Sequence, residues 1–294
     1  MKSSVFKVCC ILGLLVNSVY AGETGHYVNG SEGIKGASLP PPGFYYLMYN
    51  AFYNTDDSMD EHGNKLDIGF DASIYAMVNR FVWMTDHKFL GANYGMNILF
   101  PLINSNIKVR GLEDEKFDLG DVYVGPLLLR WSKARYDASL GAGVYLPTAD
   151  HDELASPGKD FWTGMFTFGG TYYFDESKTW SGSVLARYEI HSTKDSIDIK
   201  PGNDFHFEWG LAKTVAPGLD LGISGYAQWQ ISDDSGSDVT WDKNVRDQVF
   251  AIGPEAKWFI PSLKSVIAFR SQWEFNAEDR PEGHIMCLTF IKAF

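Results

Sequence analysis

The amino-acid sequence predicts an all-β protein, a single antiparallel up-and-down transmembrane β-barrel of about twelve strands. Three observations carry this. Apolar and polar residues alternate with period two over segments of roughly 10–14 residues, the signature of a strand with unlike faces. Trp180, Gly182, Val184, Ala186, Tyr188 and Ile190, for example, are set against Ser181, Ser183, Leu185, Arg187, Glu189 and His191. The connections alternate between short and long, as short periplasmic turns and longer outer loops do in such barrels. Tryptophans fall near strand ends: Trp131, Trp180 and Trp258 toward the short turns, Trp162, Trp229 and Trp273 toward the long loops. Two interfacial girdles of a membrane barrel occupy those levels.

Residues 1–21 read as a secretory signal peptide. Lys2 and Lys7 precede the apolar stretch from Val8 to Val16, and Val19-Tyr20-Ala21 ends it. Cys9 and Cys10 leave with it, so Cys287 stays alone, and neither a disulfide nor a cysteine-rich metal site is expected. Residues 22–42, rich in Gly, Ser and Pro and ending Pro40-Pro41-Pro42-Gly43, read as a flexible periplasmic leader or a short plug within the barrel.

The barrel takes 43–294, with strands expected near 44–53, 66–83, 90–101, 118–130, 136–147, 161–174, 179–191, 204–215, 219–231, 246–260, 263–275 and 284–294. In the second of these, Leu66, Ile68, Phe70, Ala72 and Ile74 stand opposite Asp67, Gly69, Asp71, Ser73 and Tyr75. Apolar faces are expected to meet lipid and polar faces the interior. Short turns are expected at 84–89, 131–135, 175–178, 216–218 and 261–262, and long loops begin at Thr55, Leu102, Thr148, Ser192, Ser232 and Asn276. An even strand count returns both termini to one side, and the last strand closes on Phe294 with Met286, Leu288 and Phe290 along one face.

The chain has 294 residues and a formal net charge of −12, with the acidic excess in the long loops. That balance excludes nucleic acid as a partner, since phosphate binding needs clustered Lys and Arg. No run of roughly 18 apolar residues offers a membrane-spanning helix.

The stretches "LPPPGFYYLMYNAFY" (39–53), "GLEDEKFDLGDVYVGPLLL" (111–129), "GVYLPTADHDE" (143–153), "PGNDFHFEWGL" (201–211), "GYAQWQISDDSG" (225–236) and "EFNAEDRPEG" (274–283), with "ARYEI" (186–190) and "AIGPE" (251–255), resemble the outer-membrane transporter family named for the meta-pathway of phenol degradation. The resemblance runs from about Ser38 to Phe294. It implies a Gram-negative outer-membrane location and a porin-like channel for small solutes, with aromatic or hydrophobic compounds as the substrate class. Partners would be outer-membrane lipids, lipopolysaccharide, a small-molecule solute and the outer-membrane insertion machinery. It supplies no catalytic residue, and no cofactor is implied, because uptake down a gradient needs none.

The candidate lumen and selectivity residues are Arg187, Glu189, His206, Glu208, Tyr226, Gln228, Glu255, Lys257, Arg270 and Glu274. The hairpin through 192–203 is expected to set Glu189 opposite His206 and Arg187 opposite Glu208. Such residues form either a charged constriction that selects what passes or an internal ion-pair network that fills the barrel. Twelve strands give a backbone radius of about 12 Å, which leaves a narrow lumen. Tyr45, Tyr49, Tyr75 and Tyr226 are candidates for stacking aromatic solutes inside it.

Asp150-His151-Asp152-Glu153 offers oxygen donors without the spacing of a calcium loop, so no metal is assigned. His191 and Ser192 are adjacent, but neighbours on a strand point to opposite faces. With no G-x-S-x-G or H-E-x-x-H motif either, no catalytic residues are assigned. A structural barrel without transport and a lipid-acting barrel enzyme stand as the alternatives.

Overall fold

The computed structural model describes residues 24–294, so the signal peptide expected over 1–21 lies outside the described residues. Thirteen strands follow in chain order: β1 (Gly43–Ser58), β2 (Asp71–Phe89), β3 (Ala92–Val109), β4 (Leu112–Leu119), β5 (Val122–Ser132), β6 (Tyr136–Leu146), β7 (Thr163–Tyr173), β8 (Trp180–His191), β9 (Asp204–Ala216), β10 (Leu219–Gln230), β11 (Gln248–Ile260), β12 (Ser265–Glu278) and β13 (Pro281–Ala293). Each pairs antiparallel with its neighbour, and β1 pairs with both β2 and β13, which closes the sheet.

β4 and β5 share one position in that ring. β3 pairs with β4 over Leu102–Val109 and with β5 over Asn93–Leu99. The break between them falls at Gly120 and Asp121, whose carboxylate turns inward to accept the backbone N–H groups of Thr148 and Ala149. The result is a closed antiparallel barrel of twelve staves.

Two connections expected as long loops are strand hairpins. β3 runs on past Leu102 to Val109 and turns at Arg110-Gly111 into β4. Both turn residues have positive φ, 51° and 78°, as a two-residue hairpin turn requires. β12 likewise continues to Glu278 before β13 begins at Pro281. The four other long connections remain loops, and they mark the outer end of the barrel.

Over β7–β13 the facing agrees with the alternation. Val184 is 49% exposed on the outer surface while Arg187 and Glu189 are buried within. Phe166, Leu221, Ile223, Phe269 and Leu288 extend the exposed apolar belt, bounded by exposed Trp180 and Trp258 at one level and Trp162 and Trp273 at the other. A closed barrel with such a belt faces lipid; this is an outer-membrane barrel.

On β1 Tyr45, Leu47 and Tyr49 point inward, as do Val82 and Met84 toward the short-turn end of β2. At the outer end of β2 the expected facing reverses: Ala72 points inward, whereas Asp71 and Ser73 are exposed. The reason is height. β2 and β3 have 19 and 18 residues, well beyond the roughly 9–11 that a tilted span needs, so their upper parts stand in water. There the outer face is polar, with Asp71, Ser73, Asn104, Asn106, Lys108 and Glu113 lining one groove. The inner face packs Phe70, Ala72, Val109 and Ile107 beneath Leu154. Tyr75 belongs to the outer surface, where its hydroxyl donates to Asn50 Oδ1 at 2.8 Å, so it lines no pore.

Candidate functional site in the lumen

Residues 24–42 lie inside the barrel and run from its outer end to the short-turn end. Near the start, His26 Nε2 faces Asp121 Oδ2 at 2.9 Å and Nδ1 faces Thr163 Oγ1 at 2.7 Å. Farther on, Tyr27 donates its hydroxyl proton to Glu208 Oε1 at 2.8 Å. The backbone N–H groups of Ser31 and Glu32 donate to the two oxygens of the same carboxylate, at 3.2 and 2.8 Å. Ile34 N–H reaches Glu255 Oε2 at 2.8 Å, and Lys35 Nζ reaches Asp220 Oδ2 at 2.6 Å. At the short-turn end Arg130 Nε donates to the carbonyl of Leu39.

The predicted lumen residues converge on this segment. Arg187 lies with its guanidinium carbon 3.6 Å from the centre of the Tyr27 ring, 3.8 Å by its nearest nitrogen from Glu208 and 3.9 Å from Glu32. His206 stacks on the same Tyr27 ring, with centroids 5.2 Å apart. Arg270 donates to the carbonyls of Gly30 and Ser31 and lies 3.4 Å from Glu255. Gln228 accepts from Asn29 Nδ2. Tyr226 and Glu274 form a neighbouring unit: the Tyr226 hydroxyl donates to Glu274 Oε1 at 2.7 Å and that of Tyr53 to Oε2 at 2.8 Å. Lys257 is half-buried and lines the adjoining cavity.

The strand register differs from expectation by two residues. Arg187 stands opposite His206, Glu189 opposite Asp204, and Leu185 opposite Glu208. Residues two apart on a strand share a face, so the charged groups still meet along diagonals. His206 Nε2 lies 3.6 Å from Glu189 Oε2 by that route.

Several contributors were not singled out in the sequence. Arg80 donates to Glu32 Oε1 at 2.7 Å and to the Tyr49 hydroxyl at 3.3 Å. Its signal was a single Arg inside the otherwise neutral run Val78-Asn79-Arg80-Phe81-Val82. Glu32 and Tyr27 gave no signal, because a Gly- and Ser-rich context reads as linker.

Beside the inserted segment a cavity of about 570 Å³ remains. Leu47, Val78, Val82, Leu99, Leu128 and Ile291 form most of its apolar wall, and Leu39-Pro40-Pro41 lie across its base. Arg187 and Lys257 reach it from the opposite side. Strands β1, β2, β3, β5 and β13 therefore give a largely apolar half-lumen, with Arg80 and Arg130 its charged exceptions, and β8–β12 a charged one that the leader covers.

Two other candidate groupings take definite form. Lys116 Nζ sits against both Asp150 and Glu153, the latter at 2.7 Å, where a cation would have had to lie. His191 points inward to Thr163 and Asp204, while Ser192 Oγ accepts from Trp162 N–H at 3.0 Å. They do not form a nucleophile–base pair.

A family model described as "Putative MetA-pathway of phenol degradation" matches residues 55–290. Among solved structures, an outer membrane channel from Pseudomonas putida superimposes with a TM-score of 0.77 at 16% identity, covering 91% of this chain and 100% of that one. The translocator domain of the autotransporter NalP from Neisseria meningitidis gives a TM-score of 0.52 at 9% identity, covering 99% and 98%. At those identities the likeness is one of fold. No curated protein sequence matches the chain.

Proposed function

This chain belongs to the family named for the MetA pathway of phenol degradation, and we propose that it is a passive outer-membrane channel for small solutes, aromatic or other hydrophobic compounds among them. The observation that carries the reading is the apolar cavity of about 570 Å³ left open in a lumen otherwise filled by polar contacts. Ligand sites of this size are largely apolar with a few placed polar groups, and here Arg187 and Lys257 supply those groups. The Pseudomonas putida protein of like fold is itself an outer membrane channel.

In this reading residues 24–42 are a plug. They narrow the passage and press against the charged wall, so that solute moves along the apolar side. Arg187, Glu208, Glu255 and Arg270 then act by holding the plug, and Lys257 and Arg187 set the charge of the passage. Outer-membrane lipid, lipopolysaccharide and the insertion machinery would be the remaining partners. No catalytic step is assigned, because His191 and Ser192 face apart.

Uptake of labelled benzoate and of a hexose into liposomes carrying the purified barrel tests the proposal. Benzoate uptake several-fold above that of protein-free liposomes, with a smaller gain for the hexose, is the expected outcome. No gain for either solute would leave a structural barrel without transport.

A further inference from the structure

A second site lies at the outer end of the charged wall. Glu189, His191, Asp204 and His206 point into the barrel from facing ends of β8 and β9, and each is at most 2% exposed. One donor atom from each of Glu189, His191 and Asp204 falls within 4.8 Å of the others. His191 Nε2 lies 3.1 Å from Asp204 Oδ2, and His206 Nε2 lies 3.6 Å from Glu189 Oε2.

Charge is the first argument. Among the described residues, the ion-pair partners of Glu189 and Asp204 are these two imidazoles, with no guanidinium or ammonium group within 4.0 Å. Two buried carboxylates beside two neutral rings carry two uncompensated negative charges, which is costly away from water. Unpartnered atoms are the second argument. Among the described residues, Glu189 Oε1, Asp204 Oδ1 and both ring nitrogens of His206 have no hydrogen-bond partner, although all three side chains are buried.

The third argument is proton counting. Thr163 Oγ1 lies 2.7 Å from Nδ1 of His26 and 2.7 Å from Nδ1 of His191. Its hydroxyl has one proton, so it donates to one ring and accepts from the other. With both rings neutral and His26 Nε2–H donating to Asp121, the Thr163 proton goes to His26. His191 must then donate its own Nδ1–H to Thr163. Its Nε2 lone pair is then left facing the Asp204 carboxylate at 3.1 Å, a contact that either a proton or a metal ion between the two would relieve.

We propose that Glu189, His191 and Asp204 bind one divalent transition-metal ion, of which Zn²⁺ is the type, with His206 beside Glu189 at its edge. Mixed imidazole and carboxylate donors suit zinc and its first-row neighbours, whereas Ca²⁺ and Mg²⁺ prefer oxygen alone. Zn–N and Zn–O bonds of about 2.0–2.2 Å place tetrahedral ligands about 3.3–3.6 Å apart. The His191–Asp204 separation of 3.1 Å lies close to that range. Thr163 orients His191 through Nδ1, the outer hydrogen bond that metal-binding histidines normally make. Gly25 closes the site from the leader side: a Cβ there would fall 2.2 Å from Glu189 Oε2 and 2.6 Å from Asp204 Oδ2. The ion would sit beneath the first turn of the plug, apart from the cavity.

The test uses the purified barrel in detergent, stripped with a chelator and then offered Zn²⁺, Co²⁺ or Mg²⁺. About one Zn²⁺ per chain should survive buffer exchange, with a rise in unfolding temperature that Mg²⁺ does not give. Bound Co²⁺ should show the intense visible bands of a four- or five-coordinate site. The Glu189→Gln, Asp204→Asn double variant loses two buried charges, so the barrel should stay folded by heat-modifiable migration while metal uptake falls at least tenfold. The proposal is overturned if the unaltered protein retains neither metal, as it would if protons on the histidines alone balance the carboxylates. It is equally overturned if the double variant retains as much as the unaltered barrel.

Discussion

The lumen has two walls of different design. On β8–β12 the inward groups are Arg187, Glu208, Glu255 and Arg270, all buried, and each meets a leader group, a backbone amide or carbonyl of Ser31, Glu32, Ile34 or Gly30 or the Tyr27 ring. On β1, β2, β5 and β13 most inward groups are apolar, among them Tyr45, Leu47, Val82, Leu128 and Cys287, which pack on one another, and Arg80 is the exception that reaches Glu32. A charged wall without water needs a partner for every group, and a polar main chain supplies partners at close spacing. An apolar wall needs none, so a space can stay open beside it. Filling and opening are thus assigned to opposite sides of one barrel.

The most direct way to break this contrast is to remove residues 24–38. The charged wall would then be hydrated rather than stranded, and the barrel should persist, since its closure rests on β1 pairing with β2 and β13. Conductance in planar bilayers should rise about tenfold or more, because an aqueous path opens where backbone had been and ions see the charges directly. Unchanged conductance would mean that the segment does not obstruct the lumen.

A smaller effect compares the walls residue against residue. Glu208→Ala strands the Ser31 and Glu32 amides and the Arg187 guanidinium, and should cost about 3–5 kcal/mol, as breaking a buried ion pair does. Leu47→Ala only enlarges the cavity it lines, for about 2–3 kcal/mol, and should speed uptake of bulkier aromatic solutes. Urea unfolding from lipid vesicles ranks the two. If Leu47→Ala proved the costlier, the charged wall would not be what holds the plug.

Sequence reasoning reached these walls unequally, and for physical reasons. β8, β9 and β10 alternate cleanly because one face meets lipid and the other meets charge, so Arg187, Glu189, His206 and Glu208 were legible as interior groups. β1 and β2 also alternate, but alternation does not say which solvent each face meets. Where the hairpins rise above the bilayer, water takes the outer face, and Ala72 and Val109 turn inward. The leader was legible only as a choice between linker and plug. Its glycines look like slack, yet Gly33 has φ +63°, and a Cβ there would lie 2.1 Å from Glu255 Oε2. Many of its anchors are backbone atoms, which no residue pattern records.

The smallest predicted effect is one of pH, and it should fall on the charged side alone. Asp279, in the turn between β12 and β13, is pushed up to about 7 by burial and then by the neighbouring carboxylates of Asp247, Asp234, Glu61 and Asp60. Among the described residues its Oδ2 has no hydrogen-bond partner, and the nearby Arg280 is engaged with Asp247 at 3.0 Å rather than with Asp279. An unfolded aspartate titrates near 3.9, roughly three units lower. A carboxyl raised in the fold binds its proton more tightly there, so its contribution to stability is full below about pH 4 and is lost as pH rises through about 7. Hydrogen exchange of the outer segments 231–247 and 276–283 should therefore quicken a few-fold between pH 4 and 8, after correction for intrinsic exchange. The Leu90-Gly91 turn on the apolar side, at the opposite, short-turn end of the barrel, should show no such trend. Asp279→Asn carries no titrating proton, so it should flatten the dependence and protect those segments more than the unaltered chain does at pH 8. A profile that kept its slope in Asp279→Asn would assign the titration to another group of the acidic cluster.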